Sequence, residues 1–582
     1  MAKRAKALLL ALALTLGLFT GITPASAVTP TLKEGTDSAA VLFDPLAVTK
    51  IELSRVAGGP ALTFEYLNVA DYQHADIKIT LAGKKPVSLK NVGVRLKGQA
   101  SRYDVKFPMK IKFDAFVPGQ KFLGLKRLTL NNMVQDSSFI HEVTAYKLYR
   151  AAGVPAPRAS YSQVSVDGTY FGVYLNLESI DTVFGKRWYK STKHVYSGPY
   201  NCDILPGNTC YEASIGPMDR SDLAVAGAAA DLHGEAWWNT INQVADMPRV
   251  IKLMATDIFL SNWDGYTDAV QNNHFVHFDD TGKFTIIPWG LDQTFTQDPS
   301  AELRWDASQP VFRGWSDHRS TLLDHCIEYA PCHTALIREG INVSKIATSV
   351  KLVNYKNLVA AKINPIISSN PDFHWQSQAS LESQQSWVDT FIPQRQQALT
   401  NFLTSSSPRP ITLTLPTVVR AGQTIKATPQ AIWEPGVTAT YQWKLDGNDI
   451  PNATSLAHRV LTSEIGHELT ITATLTKANV SATTQSVTRT VLGQLLKLTP
   501  TPKITGQAVA GKTLKVSAGK WDAGTTLTYQ WLSDGTEVPG ETASTYQLTT
   551  DDVGHIITVA VTGTKNNYAE ASKTSKATSR VR

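Results

Sequence analysis

The run Asn262-Trp263-Asp264-Gly265-Tyr266, followed by Asn272-Asn273 and then Pro288-Trp289-Gly290-Leu291-Asp292, decides how this chain is read. Just upstream, Asp246 and Pro248 have the form of a helix cap and first turn. Val250, Leu253, Met254, Ile258 and Phe259 then recur at helical spacing. The helix they predict ends near Asn262, so Asp264 emerges from its C-terminus into a loop. Two strand-like runs follow, 274–278 and 283–287, joined by Asp279-Asp280-Thr281-Gly282 as a hairpin turn. Asn273 then stands where the hairpin begins and Asp292 just beyond its end, so the two can lie side by side. A loop Asp, an amide and a second Asp are what metal-assisted phosphoryl transfer requires. One carboxylate orients the attacking hydroxyl, while an amide and a carboxylate hold the metal that neutralises phosphate charge.

Each of these residues has an ordinary structural reading when taken alone. An Asp after a helix is commonly a cap or turn residue, and Asn-Asn before a strand is common loop chemistry. Trp289 can stack on a purine, but a tryptophan in such a place is more often core. The ordered combination favours the chemical reading.

At 582 residues the chain is too long for one core, which predicts several domains. Residues 1–27 read as a secretory leader: Lys3, Arg4 and Lys6, an apolar run, then Ala25-Ser26-Ala27. No later stretch is long enough to span a bilayer, so the mature protein is expected to be exported, with no transmembrane segment. Removing the leader lowers the formal charge from +7 to +4, which gives no argument for nucleic-acid binding. The four cysteines form two close pairs, Cys202 with Cys210 and Cys326 with Cys332, expected to be disulfides in an exported chain. A zinc site is the competing reading of the second pair, because His325 and His333 flank it.

Residues 28–44 form a polar, loose lead, and 45–405 mix strand and helix signals. A lysine-bearing strand is expected over 108–113, a helix over 137–152, and a hairpin turning at Asp167-Gly168. The Ser/Pro-rich stretch 405–410 is a linker. Beyond it the chain repeats: Tyr441-Gln442-Trp443 returns as Tyr529-Gln530-Trp531, and Gly447 and Gly466 as Gly535 and Gly554, each 88 residues on. Both copies, 406–495 and 496–582, read as small β-sandwiches plugged by that tryptophan. They resemble bacterial Ig-like repeats of secreted surface proteins, which the resemblance implies are spacers or binders, a cell-wall or surface ligand being the candidate partner.

Several blocks of 45–405 are similar, in order, to the spore-coat-protein-H (CotH) kinase family of atypical protein kinases. They are Val94-Arg95-Leu96-Lys97-Gly98-Gln99-Ala100-Ser101-Arg102, Lys106, and Lys110-Ile111-Lys112-Phe113. Then come Leu130-Asn131-Asn132, Ile140-His141-Glu142, Ala151-Ala152-Gly153-Val154-Pro155-Ala156-Pro157-Arg158, Gly172-Val173-Tyr174-Leu175 and Glu178. The Asn-Trp-Asp and Pro-Trp segments close the set.

The resemblance implies a multidomain chain: an α+β atypical protein-kinase-like domain followed by two all-β Ig-like sandwiches. It implies ATP and Mg²⁺ or Mn²⁺ as cofactors, and transfer of the γ-phosphate to Ser/Thr hydroxyls of extracytoplasmic or cell-surface proteins. The individual protein acceptor is not given. Asp264 would orient the acceptor hydroxyl, with Asn273 and Asp292 as metal ligands. Lys110 or Lys112 would meet the phosphates, positioned by Glu142. Lys97 and Arg102 would add charge there, and Trp289 would cover the base. One departure matters. Many members carry Asp directly after Pro-Trp, where this chain has Gly290. A catalytically weak or inactive pseudokinase acting as a secreted surface adhesin or binding protein is therefore the alternative reading. A glycosidase built on Asp264 and Asp292 is a third, disfavoured because the surrounding basic and amide residues suit phosphate better than sugar.

Overall fold

A computed structural model describes residues 34–582 except Gln99, Ala100, Tyr103, Asp104, Asn208, Ala269, 297–298, 300–318, 370–376, Ala431, Trp433 and Pro435. The expected leader lies outside these residues, as do 28–33 and two residues of the 94–102 block. The described residues fall into two compact units, one reaching Phe402 and one beginning at Leu403.

The first unit is built on a closed seven-stranded barrel in the order β1-β2-β3-β4-β5-β7-β6. Its strands are β1 (Thr49–Ser54), β2 (Gln73–Thr80), β3 (Val87–Leu96), β4 (Met109–Lys112), β5 (Arg127–Asn131), β6 (Ala159–Val166) and β7 (Thr169–Leu177). Strand β1 shows why closure works: Thr49, Ile51 and Leu53 point into the core while Lys50, Glu52 and Ser54 alternate outward. It pairs antiparallel with β2 and parallel with β6, so no strand edge is left open. On β4, Met109 and Ile111 are buried and the two lysines share the other face, as the alternation predicts. The turn between β6 and β7 falls at Asp167-Gly168, both with positive φ (47° and 86°).

A second sheet has the order β11-β10-β8-β9. It comprises β8 (His194–Gly198), β9 (Glu212–Ile215), β10 (His274–Phe278) and β11 (Phe284–Pro288). The helix Met247–Leu260 leads into this sheet. Its Asp246 cap accepts from the Arg249 N–H, and Pro248 lies in its first turn, as the sequence indicates.

Two expectations shift. The helix expected over 137–152 starts later, at His141–Ala151. The Asp136 carboxylate accepts from the Ser138 and His141 N–H groups at 3.0 and 2.9 Å, and Phe139 sits at φ 60°, which no helix accommodates. The lead, expected to be loose, packs down in its described part. Ala39, Ala40, Leu42 and Phe43 are buried, the Ser160 hydroxyl donates to the Leu42 carbonyl at 2.6 Å, and Glu34 pairs with Lys147 and Arg150.

The second unit is all-β, made of several sheets. Trp443 lies on the strand Thr438–Leu445 opposite Ile471, and Trp531 on Thr526–Ser533 opposite Val559. Both rings are fully buried, and each indole N–H donates to a carbonyl twelve residues on, that of Ser455 or Ala543. The preceding glutamines repeat a second pattern, donating to the carbonyls of Ile450 and Val538. Trp443→Ala is expected to destabilise this unit by ~3–5 kcal/mol, the usual cost of emptying a large aromatic site. Calorimetry should show one transition moving down while others hold, and an unchanged scan would contradict the plug.

Candidate functional site

A cleft of about 560 Å³ is lined by residues from both sheets of the first unit. Lys97, Gly98, Ser101 and Arg102 come from the segment after β3, Lys110 from β4, and Asn131 from the end of β5. Glu212 of β9, Asp264, Asn273, Trp289, Gly290 and Asp292 supply the opposite side. Its size is in the range of small-molecule and cofactor sites.

Asp264 is held by its neighbours. Ser261 ends the helix in a left-handed conformation, and the Asn262 amide turns back to donate to Asp257 at 2.9 Å. Gly265 lies so close to that amide that an added Cβ would fall 2.3 Å from its nitrogen, so any side chain there would push the Asn262 amide out of place. The loop is thereby turned to present Asp264, whose two carboxylate oxygens accept from Asn272 at 2.9 Å and Asn273 at 2.7 Å. Burial outweighs these amides, and with help from the Asp292 charge it raises the Asp264 carboxyl to a pKa of about 6.

The hairpin puts both metal candidates, Asn273 and Asp292, on the cleft lining. His274 pairs with Pro288, and the Trp289 N–H donates to the Asn273 carbonyl at 2.9 Å. Gly290 is left-handed at φ 54°, and a Cβ there would meet Asn273 Cγ and Oδ1 at 2.8 Å. The glycine thus leaves the space into which the Asn273 amide folds. Trp289 packs edge-on against Phe275 and lies 5.8 Å from the Lys97 ammonium, half-buried in the cleft wall.

Glu142 lies behind the wall, buried, accepting from the Asn131 amide at 2.9 Å. Its other oxygen has no hydrogen-bond partner among the described residues. Burial and the Asp292 charge push its carboxyl up to about 8, against the pull of Lys97. Lys97 itself is driven down by burial and held up by Glu142 and Asp292. Glu142 therefore acts on Lys97, where the resemblance implied Lys110 or Lys112. Lys110 faces a different field: burial, Arg95, Lys97 and Arg127 lower it to about 8, with Glu212 opposing. Lys112, on the same strand face, does not line the cleft. Arg102 does, but its guanidinium is tied to the Lys97 carbonyl and to Asn68 at 3.3 and 2.8 Å, bracing the segment that carries Lys97.

Two residues had no role assigned from sequence. Asn131 orients Glu142, and Asn132 donates to the carbonyls of Ser101 and Lys106 at 2.8 and 2.6 Å, pinning the segment after Lys97. Their signal was the pair of amides at a strand end, where an aliphatic pair would serve packing alone. Arg158 and Glu178, by contrast, are a buried ion pair that also engages the exposed Asp37 and the half-buried Arg187, which is scaffold.

The donor set fits a divalent cation. Asp292 and Glu142 are buried carboxylates, both raised by burial; the Asp292 charge also raises Glu142 and the Asp136 charge raises Asp292, with Lys97 opposing both shifts and a Glu142 oxygen unpartnered among the described residues, so added positive charge is favoured there.

Both cysteine pairs are at bonding distance, Cys202 with Cys210 and Cys326 with Cys332. Among the described residues no helix is long and apolar enough to cross a membrane. These features are compatible with an extracellular or surface location.

A family model described as CotH kinase protein matches residues 94–399. The inner spore coat protein H of Bacillus subtilis (strain 168) is 24% identical over 233 residues, 38% of this chain and 63% of that protein. The inner spore coat protein H-like protein of the same strain is 39% identical over 70 residues, 12% of this chain and 22% of the relative. The chain thus spans less than two thirds of either relative's length. Solved structures align over about a quarter of it. Three N-terminal domains of the bacteriophage RB49 outer capsid protein Hoc are 19% identical over 28% of this chain and 58% of theirs, at TM-score 0.14. Fibronectin(III)-like modules of Clostridium thermocellum CbhA are 14% identical over 28% of this chain and 92% of theirs, at TM-score 0.13. Scores so low carry no fold argument. The family match covers more than half of the chain and every cleft residue named above, and on it this chain belongs to the CotH kinase protein family.

Proposed function

We propose that the first unit is an atypical protein-kinase-like domain that transfers the γ-phosphate of ATP to Ser/Thr hydroxyls of exported or cell-surface proteins. The observation that carries this is the convergence of Asp264, Asn273 and Asp292 with Lys97 and Lys110 in one cleft. Asp264, held by two amides and raised toward neutrality, accepts the hydroxyl proton and aims the oxygen. Lys97, set by Glu142, and Lys110 face the phosphates. Asn273 and Asp292 would hold Mg²⁺ or Mn²⁺, which supplies neutralisation of the phosphate charge. Trp289 offers an aromatic face to the base. We read each C-terminal copy as an Ig-like sandwich that attaches this domain to a cell-wall or surface ligand.

A second reading, a non-catalytic surface-binding protein, rests on Gly290. With no side chain there, Asp292 is left as the carboxylate of the Trp289–Asp292 turn. Transfer from γ-labelled ATP separates the two readings.

The pH dependence of nucleotide binding tests the cationic wall. Lys110 is lowered to about 8, so its charge is present below that pH and lost above it. ATP affinity is therefore expected to fall as pH rises from 7 to 9. Lys110→Arg protein, whose guanidinium stays charged, should not show this fall. Equal pH slopes in the two proteins would remove Lys110 from the phosphate site.

A further inference from the structure

His325 and Glu328 stand three residues apart on the helix Thr321–Glu328, which places them on one face. His233 precedes the helix Gly234–Val244 and makes no side-chain capping bond to it. The fold brings the two histidine rings to 4.4 Å between centroids, and one ligand atom from each of His233, His325 and Glu328 lies within 4.8 Å of the others. His325 is only 8% exposed, and its Nδ1 has no hydrogen-bond partner among the described residues. A buried imidazole nitrogen left unpaired is costly unless something satisfies it. Trp237 packs edge-on against the same ring, which fixes its direction.

The sequence raised zinc at this place through the cysteines. The Cys326–Cys332 bond takes the sulfurs out of any ligand set, and His333 is not part of the cluster. The bond instead ties the end of the Thr321–Glu328 helix to the following helix Ala330–Ser349, so His325 and Glu328 are presented from a braced corner.

We propose that His233, His325 and Glu328 bind one zinc-class divalent cation, at a site separate from the phosphate cleft. Two imidazoles and one carboxylate suit zinc, whereas magnesium and calcium favour all-oxygen sets. None of the three residues lines the cleft. Zinc bonds of about 2.0–2.2 Å to nitrogen and oxygen require the ligand atoms to close in slightly, and His233 and Glu328, both exposed, can turn to meet the fixed His325. The fourth position falls to water. The ion would cross-link the helices Gly234–Val244 and Thr321–Glu328, a structural role.

The test is zinc titration of chelator-treated, disulfide-intact protein by calorimetry and thermal melting. It is carried out on Asp292→Asn protein so that a cation held in the cleft does not enter the count. One Zn²⁺ per chain and a raised Tm are expected, with Mg²⁺ at the same concentration giving no rise. His233→Asn and Glu328→Gln change exposed positions, so both should fold, lose affinity at least tenfold and lose the zinc-dependent rise. The proposal is overturned by no zinc binding, by binding that survives intact in either variant, or by an equal response to Mg²⁺.

Discussion

Asp264→Asn is expected to lower kcat for phosphate transfer by about 100- to 10,000-fold, the usual contribution of a positioned general base, with ATP KM little changed. The substitution preserves shape but removes the charge that accepts the hydroxyl proton. It replaces a carboxylate accepting from two amides, Asn272 and Asn273, with an amide that accepts through one oxygen. Burial already disfavours the ionised form of Asp264 in the fold. Its carboxyl is raised above the ordinary value near 3.9, so the charged form costs stability at neutral pH, and the neutral variant escapes that cost. The metal-free Asp264→Asn protein should therefore melt no lower than the parent while losing activity. A purely structural Asp264 would give the reverse: a lowered Tm and retained transfer.

Lys97→Ala is expected to cost about 100- to 1,000-fold in kcat, the scale set by removing one preorganised charge-stabilising donor. The ammonium carries the charge that opposes the upward shift of both Glu142 and Asp292, and its loss leaves two buried carboxylates without that compensation. Lys97→Arg should not restore activity, since a planar fork cannot take the place of a compact ammonium in a buried site. Lys112→Ala, changed outside the cleft lining, is expected to remain active and serves as the control. Equal losses in the Lys97 and Lys112 variants would place the phosphate contacts elsewhere on the barrel.

The parts of the site legible in the sequence were those governed by short-range rules. Asp246 with Pro248 fixes one end of a helix, and the hairpin turn 279–282 fixes the relation of Asn273 to Asp292; both follow from local chemistry. Strand alternation likewise placed Met109 and Ile111 inward. It could not say which of Lys97, Lys110 and Lys112 meets Glu142, because that depends on where the helix His141–Ala151 lies against the barrel. The role of Asn131 was hidden for the same reason. The burial of Leu42 and Phe43 in the lead was hidden too, since a short polar segment shows no periodicity and its partners Ser160 and Arg158 lie more than a hundred residues away. The proposed zinc-class cluster was half visible: His325 stands beside Cys326, but His233 comes from a distant helix start.

Phosphate transfer from γ-labelled ATP, with Mg²⁺ and with Mn²⁺, tests the central claim most directly. It should be run on residues 28–582 beside Asp264→Ala and Asp292→Ala proteins. The account predicts label on the protein itself or on a generic protein acceptor, lost in both variants. No label with either metal, from a protein shown to be folded, would contradict it and leave a binding protein carried on the same barrel.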